Sequence, residues 1–292
     1  MKPPPAKLSI AWVGNSFVYF NDLPSMLATL LLCAKPFPGT TVEYDSVAPG
    51  GQRFAGHADD TAVAGMLRRR AWDVVVLQDN SGVPGGYDSG RFAESAYALT
   101  DRLAPLTRDS LVCLLYGTWG HRFGSVYAEQ QAAYPDYKTM QKLTTHGIDQ
   151  YKRLLDRTQS CGTVGVAPVG DAWERIYDED VRAKRDPLAD DSLFSRLYKK
   201  DKFHPSVLGT FLAACVFALM ILPEGSPIPE WRGDPRLDDE GDDDISKAVA
   251  RLVTISKDDE HRLRAAALAA VGKRIDDGWV PNWVSDGGKV EL

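Results

Sequence analysis

The chain has 292 residues, 44% of them hydrophobic and 25% charged, and this length and composition suit one main globular domain. A net charge of −6 and a pI near 5.4 leave no clustered basic face for phosphates, so no nucleic-acid partner is expected, and the dense basic run RRR at 68–70 reads as a solvated helix end. Four cysteines, Cys33, Cys113, Cys161 and Cys215, sit in or beside apolar segments without a C-x-x-C pair or a histidine at metal spacing, which indicates buried free thiols and no metal site.

In chain order, MKPPPAKLSIAWVG carries only a short apolar run that leads into a strand at 8–14. Neither a signal peptide nor a membrane span is expected from it, and the cytoplasm is the default location. The pattern then predicts a helix over 22–35, a strand at 41–48, a helix over 57–71, a strand at 73–78 and a helix over 89–104. A strand at 110–118, a helix over 136–157 and a strand at 162–170 follow. One more helix is expected to start after His204-Pro205, with the proline in its first turn. The apolar run at 208–222 inside it is too short to cross a bilayer comfortably and reads as buried.

Beyond Pro223, a Pro- and Gly-punctuated stretch and the acidic run DDEGDDD at 238–244 read as a surface linker. Ser256 and Asp259 have the spacing of a cap ahead of an Ala-, Leu- and Arg-rich helix, and the tryptophans of GWVPNWV are expected to pack back onto the domain. The expected division is a domain over 1–222 and an extension over 223–292 packed on it. Five β-branched runs alternating with helices predict an α/β, flavodoxin-like three-layer sandwich: a five-stranded parallel sheet of order 2-1-3-4-5 with helices on both faces.

Chemistry concentrates at the carboxyl ends of these strands, where open α/β sheets bind ligands. Ser16 follows the first strand in VGNSFVYFNDLP, on a strand-to-helix turn that would project its hydroxyl above the sheet edge. The second strand ends in APGGQRF, where Gly50 or Gly51 can offer a backbone N–H at close approach, and the third ends in LQDNSG, where Asn80 or Gln78 can supply an amide donor. In the order 2-1-3-4-5, Ser16, Gly51 and Asn80 converge at the topological switch point. A serine oxygen ringed by N–H donors is what acyl transfer needs, because its tetrahedral intermediate places negative charge on the former carbonyl oxygen. Finally, KKDKFHPSVLG holds Asp201 and His204 three positions apart, the residue types of a base and the carboxylate that orients it.

Serine, glycine, asparagine and D-x-x-H in this chain order resemble the four blocks of the SGNH (GDSL-type) hydrolase superfamily, over about residues 8–222. It resembles in particular members that open on G-N-S rather than G-D-S. It implies Ser16 as nucleophile, the Ser16 amide with Gly51 and Asn80 as oxyanion hole, and His204 with Asp201 as base and orienter. The departures are Asn15 in place of the usual aspartate and Q-D-N-S in place of G-x-N-D, so Gln78 and Gly50 stay open as alternates.

The implied activity is a cofactor-independent serine esterase acting on small acyl esters, with an acetyl ester of carbohydrate as first choice because no apolar lid or amphipathic membrane segment is evident. Lysophospholipase or thioesterase chemistry and a catalytically silent carbohydrate- or protein-binding module are the alternatives. Nucleotide binding lacks a motif, since neither G-x-G-x-x-G after the first strand nor G-K-[ST] is present. The loop YGTWGHRFGSVYAEQQAAYPDY should overhang the same sheet edge, either as a segment that Gly117, Gly120 and Gly124 let move or as an ordinary packed loop, and no residue of it is assigned to the site. Nothing in the sequence defines an oligomeric state.

Overall fold

In a computed structural model of the chain, the described residues are 7–34, 41–107, 110, 112–158, 163–223, 226–228 and 255–276. Five strands, β1 (Lys7–Val13), β2 (Thr41–Val47), β3 (Val74–Leu77), β4 (Val112–Tyr116) and β5 (Thr163–Ala167), form one sheet of order β2-β1-β3-β4-β5. Every neighbouring pair is parallel. Val13 lies beside both Val47 and Leu77, so the first three strands end level and their following loops meet at one point above the edge.

Side chains alternate across a strand, and both faces of this sheet are buried. Leu8, Ile10 and Trp12 point with Val76 and Leu114 into one core, covered by α2 (Leu23–Cys33), α7 (Val169–Arg182) and α9 (Val207–Ile221). Ala11, Val13, Val75 and Leu115 face the other, covered by α3 (Phe54–Asp59), α4 (Thr61–Arg68) and α6 (Tyr137–Thr158). The three-layer α/β sandwich with this strand order is as the sequence predicts.

Several element boundaries differ for identifiable reasons. The region read as one helix over 57–71 is two, because Asp60 is extended (ψ 116) and its carboxylate caps α4 by accepting from the Ala62 N–H at 2.8 Å. That over 89–104 is α5 (Ser89–Tyr97) running into a wider π turn at Ala98–Leu103. Helix α7 was hidden by an apolar run that continues past β5, yet Pro168 ends the strand and a helix with one apolar face begins at Val169. Pro205 is not in the first turn of α9: Ser206 is the N-cap, its hydroxyl accepting from Gly209 N–H, and Pro205 pairs with Tyr198 just before it.

Between β1 and α2 lie the short helix α1 (Ser16–Tyr19) and a 3₁₀ turn over Phe20–Asp22. The segment Ser16–Cys33 is apolar enough to cross a membrane by composition, at mean hydropathy 1.3, but the positive φ of Asn21 (53°) and Asp22 (47°) breaks it in two, and α2 is buried in the core. α8 (Leu193–Arg196) precedes the turn that carries His204. α10 (Lys257–Asp276) packs on α7 and α9 through Leu263, Ala267 and Val271. Ser256 accepts from Asp259 N–H at its start, and Arg196 holds Asp259 with both guanidinium nitrogens at 2.7 and 2.9 Å. The acidic run 238–244, the GWVPNWV segment and Cys161 lie outside the described residues.

Candidate active site

The turn after β1 is shaped by close approach. A Cβ at Gly14 would come within 2.6 Å of both Gln78 Oε1 and Val18 Cγ2, so only glycine lets the chain pass there. Asn15 caps α1, its Oδ1 accepting from Phe17 N–H at 3.2 Å, while its Nδ2 donates to the Gln52 carbonyl after β2 at 3.0 Å. That second bond is one an aspartate could not make, which gives the G-N-S block a local rationale. Ser16 is the first residue of α1, where an N–H has no intrahelical acceptor.

His204 arrives from a tight turn in which Lys199 N–H donates to the His204 carbonyl at 2.8 Å and Lys202 adopts φ 71°. Asp201 Oδ1 accepts from the amides of Phe203 and His204 at 3.2 and 3.0 Å, and its Oδ2 lies 2.8 Å from His204 Nδ1. The carboxylate can only accept, so the ring proton sits on Nδ1 and Nε2 is left as an acceptor, 2.9 Å from Ser16 Oγ. Burial draws the His204 pKa below 6.5, and the Asp201 carboxylate works against that shift. Burial also raises Asp201, but the bonds from His204 and the two amides outweigh it and hold the carboxyl below its ordinary value.

Ser16 and His204 open onto a cleft of about 200 Å³ that is also lined by Gly50, Gly51, Asn80 and Tyr127. Gly51 has φ 69°, a left-handed conformation that favours glycine. Neither the Ser16 nor the Gly51 amide finds an acceptor among the described residues. Asn80 is oriented by Gly82 N–H, which donates to its Oδ1 at 3.1 Å, so its Nδ2 faces Gly51, whose carbonyl is 3.3 Å away.

Gln78 lies elsewhere. Its side chain is fully buried, with Oε1 accepting from Asn15 N–H at 2.8 Å and Nε2 donating to the Asp79 carbonyl, so it does not line the cleft. Gly50 lines the cleft beside Tyr19, whose hydroxyl oxygen would sit 3.3 Å from a Cβ placed there.

Residues that the sequence pattern did not single out hold this geometry. Asp79 is buried and accepts from Phe54 N–H (3.1 Å), Asn80 N–H (2.8 Å) and the Tyr151 hydroxyl (2.9 Å), tying α3, the β3 loop and α6 together. Its burial pushes its pKa up to about 6. His57, buried on α3, sets Nε2 2.8 Å from the Gly14 carbonyl. A lone aspartate in a turn and a lone histidine on a helix carry no sequence signal of such roles.

The aromatic loop after β4 is not loosely hung. Trp119 stacks between Phe17 (4.5 Å) and Trp173 (4.0 Å) and donates its Nε1–H to the Phe203 carbonyl at 3.0 Å. A Cβ at Gly120 would meet Tyr137 O and Gln141 N at 3.0 Å, and one at Gly124 would collide with the Tyr134 carbonyl. Close packing requires glycine at these two positions, and the loop lines the cleft with Tyr127.

No protein-family model and no curated protein matches the chain, so its likeness to known proteins is one of three-dimensional structure. A DUF4886 family protein from Bacteroides uniformis superposes with a TM-score of 0.64 at 13% identity, covering 94% of this chain and 98% of its own. A protein from Slackia heliotrinireducens, provisionally assigned as an SGNH hydrolase, is 25% identical with a TM-score of 0.50, covering 73% of this chain and 97% of its own. Axe2, an acetylxylan esterase from Geobacillus stearothermophilus, is 16% identical at a TM-score of 0.47, covering 74% and 94%. The parallel sheet of order 2-1-3-4-5 and the likeness to that provisionally assigned SGNH hydrolase define the class: this chain belongs to the SGNH hydrolase superfamily.

Proposed function

We propose that the protein is a serine esterase of the G-N-S type that forms an acyl-enzyme on Ser16 and acts on small acyl esters, acetyl esters first among them. The observation that carries this reading is the unbroken relay from Asp201 Oδ2 to His204 Nδ1 (2.8 Å) and from His204 Nε2 to Ser16 Oγ (2.9 Å), at the mouth of a cleft where the Ser16 and Gly51 amides meet no acceptor among the described residues.

In the first half-reaction, His204 Nε2 takes the Ser16 hydroxyl proton as Oγ bonds to the ester carbonyl carbon. The carbonyl oxygen becomes an oxyanion facing the Ser16 and Gly51 amides and the Asn80 side-chain N–H. Collapse breaks the carbon–oxygen bond to the alcohol, which leaves with the proton from His204 Nε2. Water then repeats the sequence on the acyl-serine, losing its proton to His204, and releases the carboxylic acid. Asp201 keeps the imidazole in the Nδ1–H tautomer and stabilises the imidazolium that forms in each half.

A cleft of about 200 Å³ is below the usual range for drug-sized ligands and suits a short acyl group rather than a long chain. The test is hydrolysis of p-nitrophenyl esters of increasing acyl length by the wild type and Ser16→Ala, with fluorophosphonate labelling. Turnover that peaks at acetate, with both turnover and labelling lost in the variant, is expected. An unlabelled, inert wild type would leave a binding module on the same fold.

A further inference from the structure

A second serine–histidine pair stands beside the first, wired the opposite way. His121 lies in the loop after β4 with its ring fully buried. Its Nδ1 is 3.2 Å from Val126 N, and its Nε2 is 3.3 Å from Ser81 Oγ. Ser81 lines the cleft with Ser16, Tyr127, Phe203 and His204.

The proton positions follow from the partners. A backbone N–H can only donate, so His121 Nδ1 is an acceptor and carries no proton. Burial and the neighbouring His204 push the His121 pKa down to about 3, so the ring is neutral and its single proton is on Nε2. At Ser16 the logic is reversed: the His204 Nδ1–H donates to a carboxylate, and Nε2 accepts from the serine. His121 therefore cannot act as a base toward Ser81, and Ser81 is not a second nucleophile.

What His121 does is donate to Ser81 Oγ, which turns the hydroxyl's own proton away from the ring. No acceptor among the described residues takes that proton, so Ser81 can offer it to the cleft. The pair also has a definite place relative to the reaction: the Phe203 ring packs between His121 (5.2 Å) and His204 (3.8 Å). The alcohol must depart on the His204 side, because that imidazole returns its proton.

We propose that Ser81 is a substrate-binding residue that donates a hydrogen bond to an oxygen on the alcohol portion of the ester, with His121 as the positioning residue that keeps it a donor. The inference rests on the serine esterase reading and narrows its substrates to esters of polyhydroxylated alcohols, sugars or polyols, over simple alkyl esters. Tyr127 and Phe203 supply flat apolar walls against which the carbon faces of such a ring can lie.

The test compares 6-O-acetylglucose with cyclohexylmethyl acetate, which has the same ring size and ester position but no ring oxygen or hydroxyls, by acetate release. Wild type is expected to favour the sugar ester in kcat/KM. Ser81→Ala should lower kcat/KM for the sugar ester about tenfold and that for cyclohexylmethyl acetate less than about threefold. His121→Gln, which can place an N–H where Nε2 was, should keep the preference, and His121→Asn, which cannot, should lose it. Thermal unfolding of each variant verifies that it is folded. Absence of a sugar preference in wild type, or equal loss on both esters in a folded Ser81→Ala, overturns the role of Ser81 while leaving the esterase intact. Failure of wild type on p-nitrophenyl acetate as well overturns the esterase reading, and this one with it.

Discussion

Gln78 Oε1 lies 2.8 Å from the Asn15 amide nitrogen, so the end of β3 holds the backbone of the turn that carries Ser16. The contact is fully buried, and Gly14 is a glycine because this side chain crosses beneath it. A side chain that the sequence offered as an amide donor to the cleft thus supports the Ser16 turn from below. Replacing it with leucine leaves the Asn15 N–H buried without a partner, at a cost of about 1–3 kcal/mol. Gln78→Leu is expected to lower both the unfolding midpoint and kcat, measured by thermal denaturation and p-nitrophenyl acetate turnover.

Asn80, by contrast, faces the cleft, and its loss should be felt in the transition state. Asn80→Ala is expected to reduce kcat by about 10²–10³ with little change in KM and little change in stability. A proportional rise in KM at constant kcat would instead assign Asn80 to ground-state binding.

The acid limb of the kcat/KM profile should report His204, which must be neutral to accept the Ser16 proton. Burial lowers its pKa, so activity is expected to persist below pH 6.5 and to fall only as the ring protonates beneath that value. Asp201→Asn removes the charge that opposes this shift and the acceptor that sets the tautomer. The plateau should drop by about 10³–10⁴ and the limb should move still lower, both read from one pH–rate series.

Asp79 gives stability a pH dependence of opposite sign to that of an ordinary paired carboxylate. Its pKa is raised from 3.8 to about 6, so the fold prefers the protonated form. That preference is fully present below about pH 4 and is lost as pH rises through 6, a change on the order of 2–3 kcal/mol. Asp79→Asn keeps a neutral side chain at every pH, with an oxygen for the Phe54 and Asn80 amides and an N–H toward Tyr151. The stability difference between variant and wild type, from denaturant unfolding, should therefore shift in favour of the variant between pH 4 and 7. A difference that stays flat across that range would show that Asp79 titrates normally.

Much of this protein could be read along the chain because the determining forces are local or periodic. Alternating β-branched runs and longer helical stretches dictate a parallel α/β sheet, since such strands must be covered on both faces. D-x-x-H needs only a tight turn to bring Asp201 and His204 together, and G-N-S directly after a strand places Ser16 at the sheet edge.

Packing decided what the sequence left open. Whether Gln78 or Asn80 faces the cleft depends on which side chain crosses beneath Gly14, a contact 64 residues apart in sequence for Gln78. The β5 run and α7 could not be separated by hydrophobicity, because both are buried and only the backbone at Pro168 marks the change. The glycines after β4 read equally as hinges or as parts of a packed loop, and only their neighbours show how closely that space is filled. The tautomers of His121 and His204 are set by what each Nδ1 meets, a backbone amide in one and a carboxylate in the other. The Asp201 contact is written into a three-residue spacing, but the cleft beside it, with Ser81 backed by His121, exists only once β3 and β4 lie side by side.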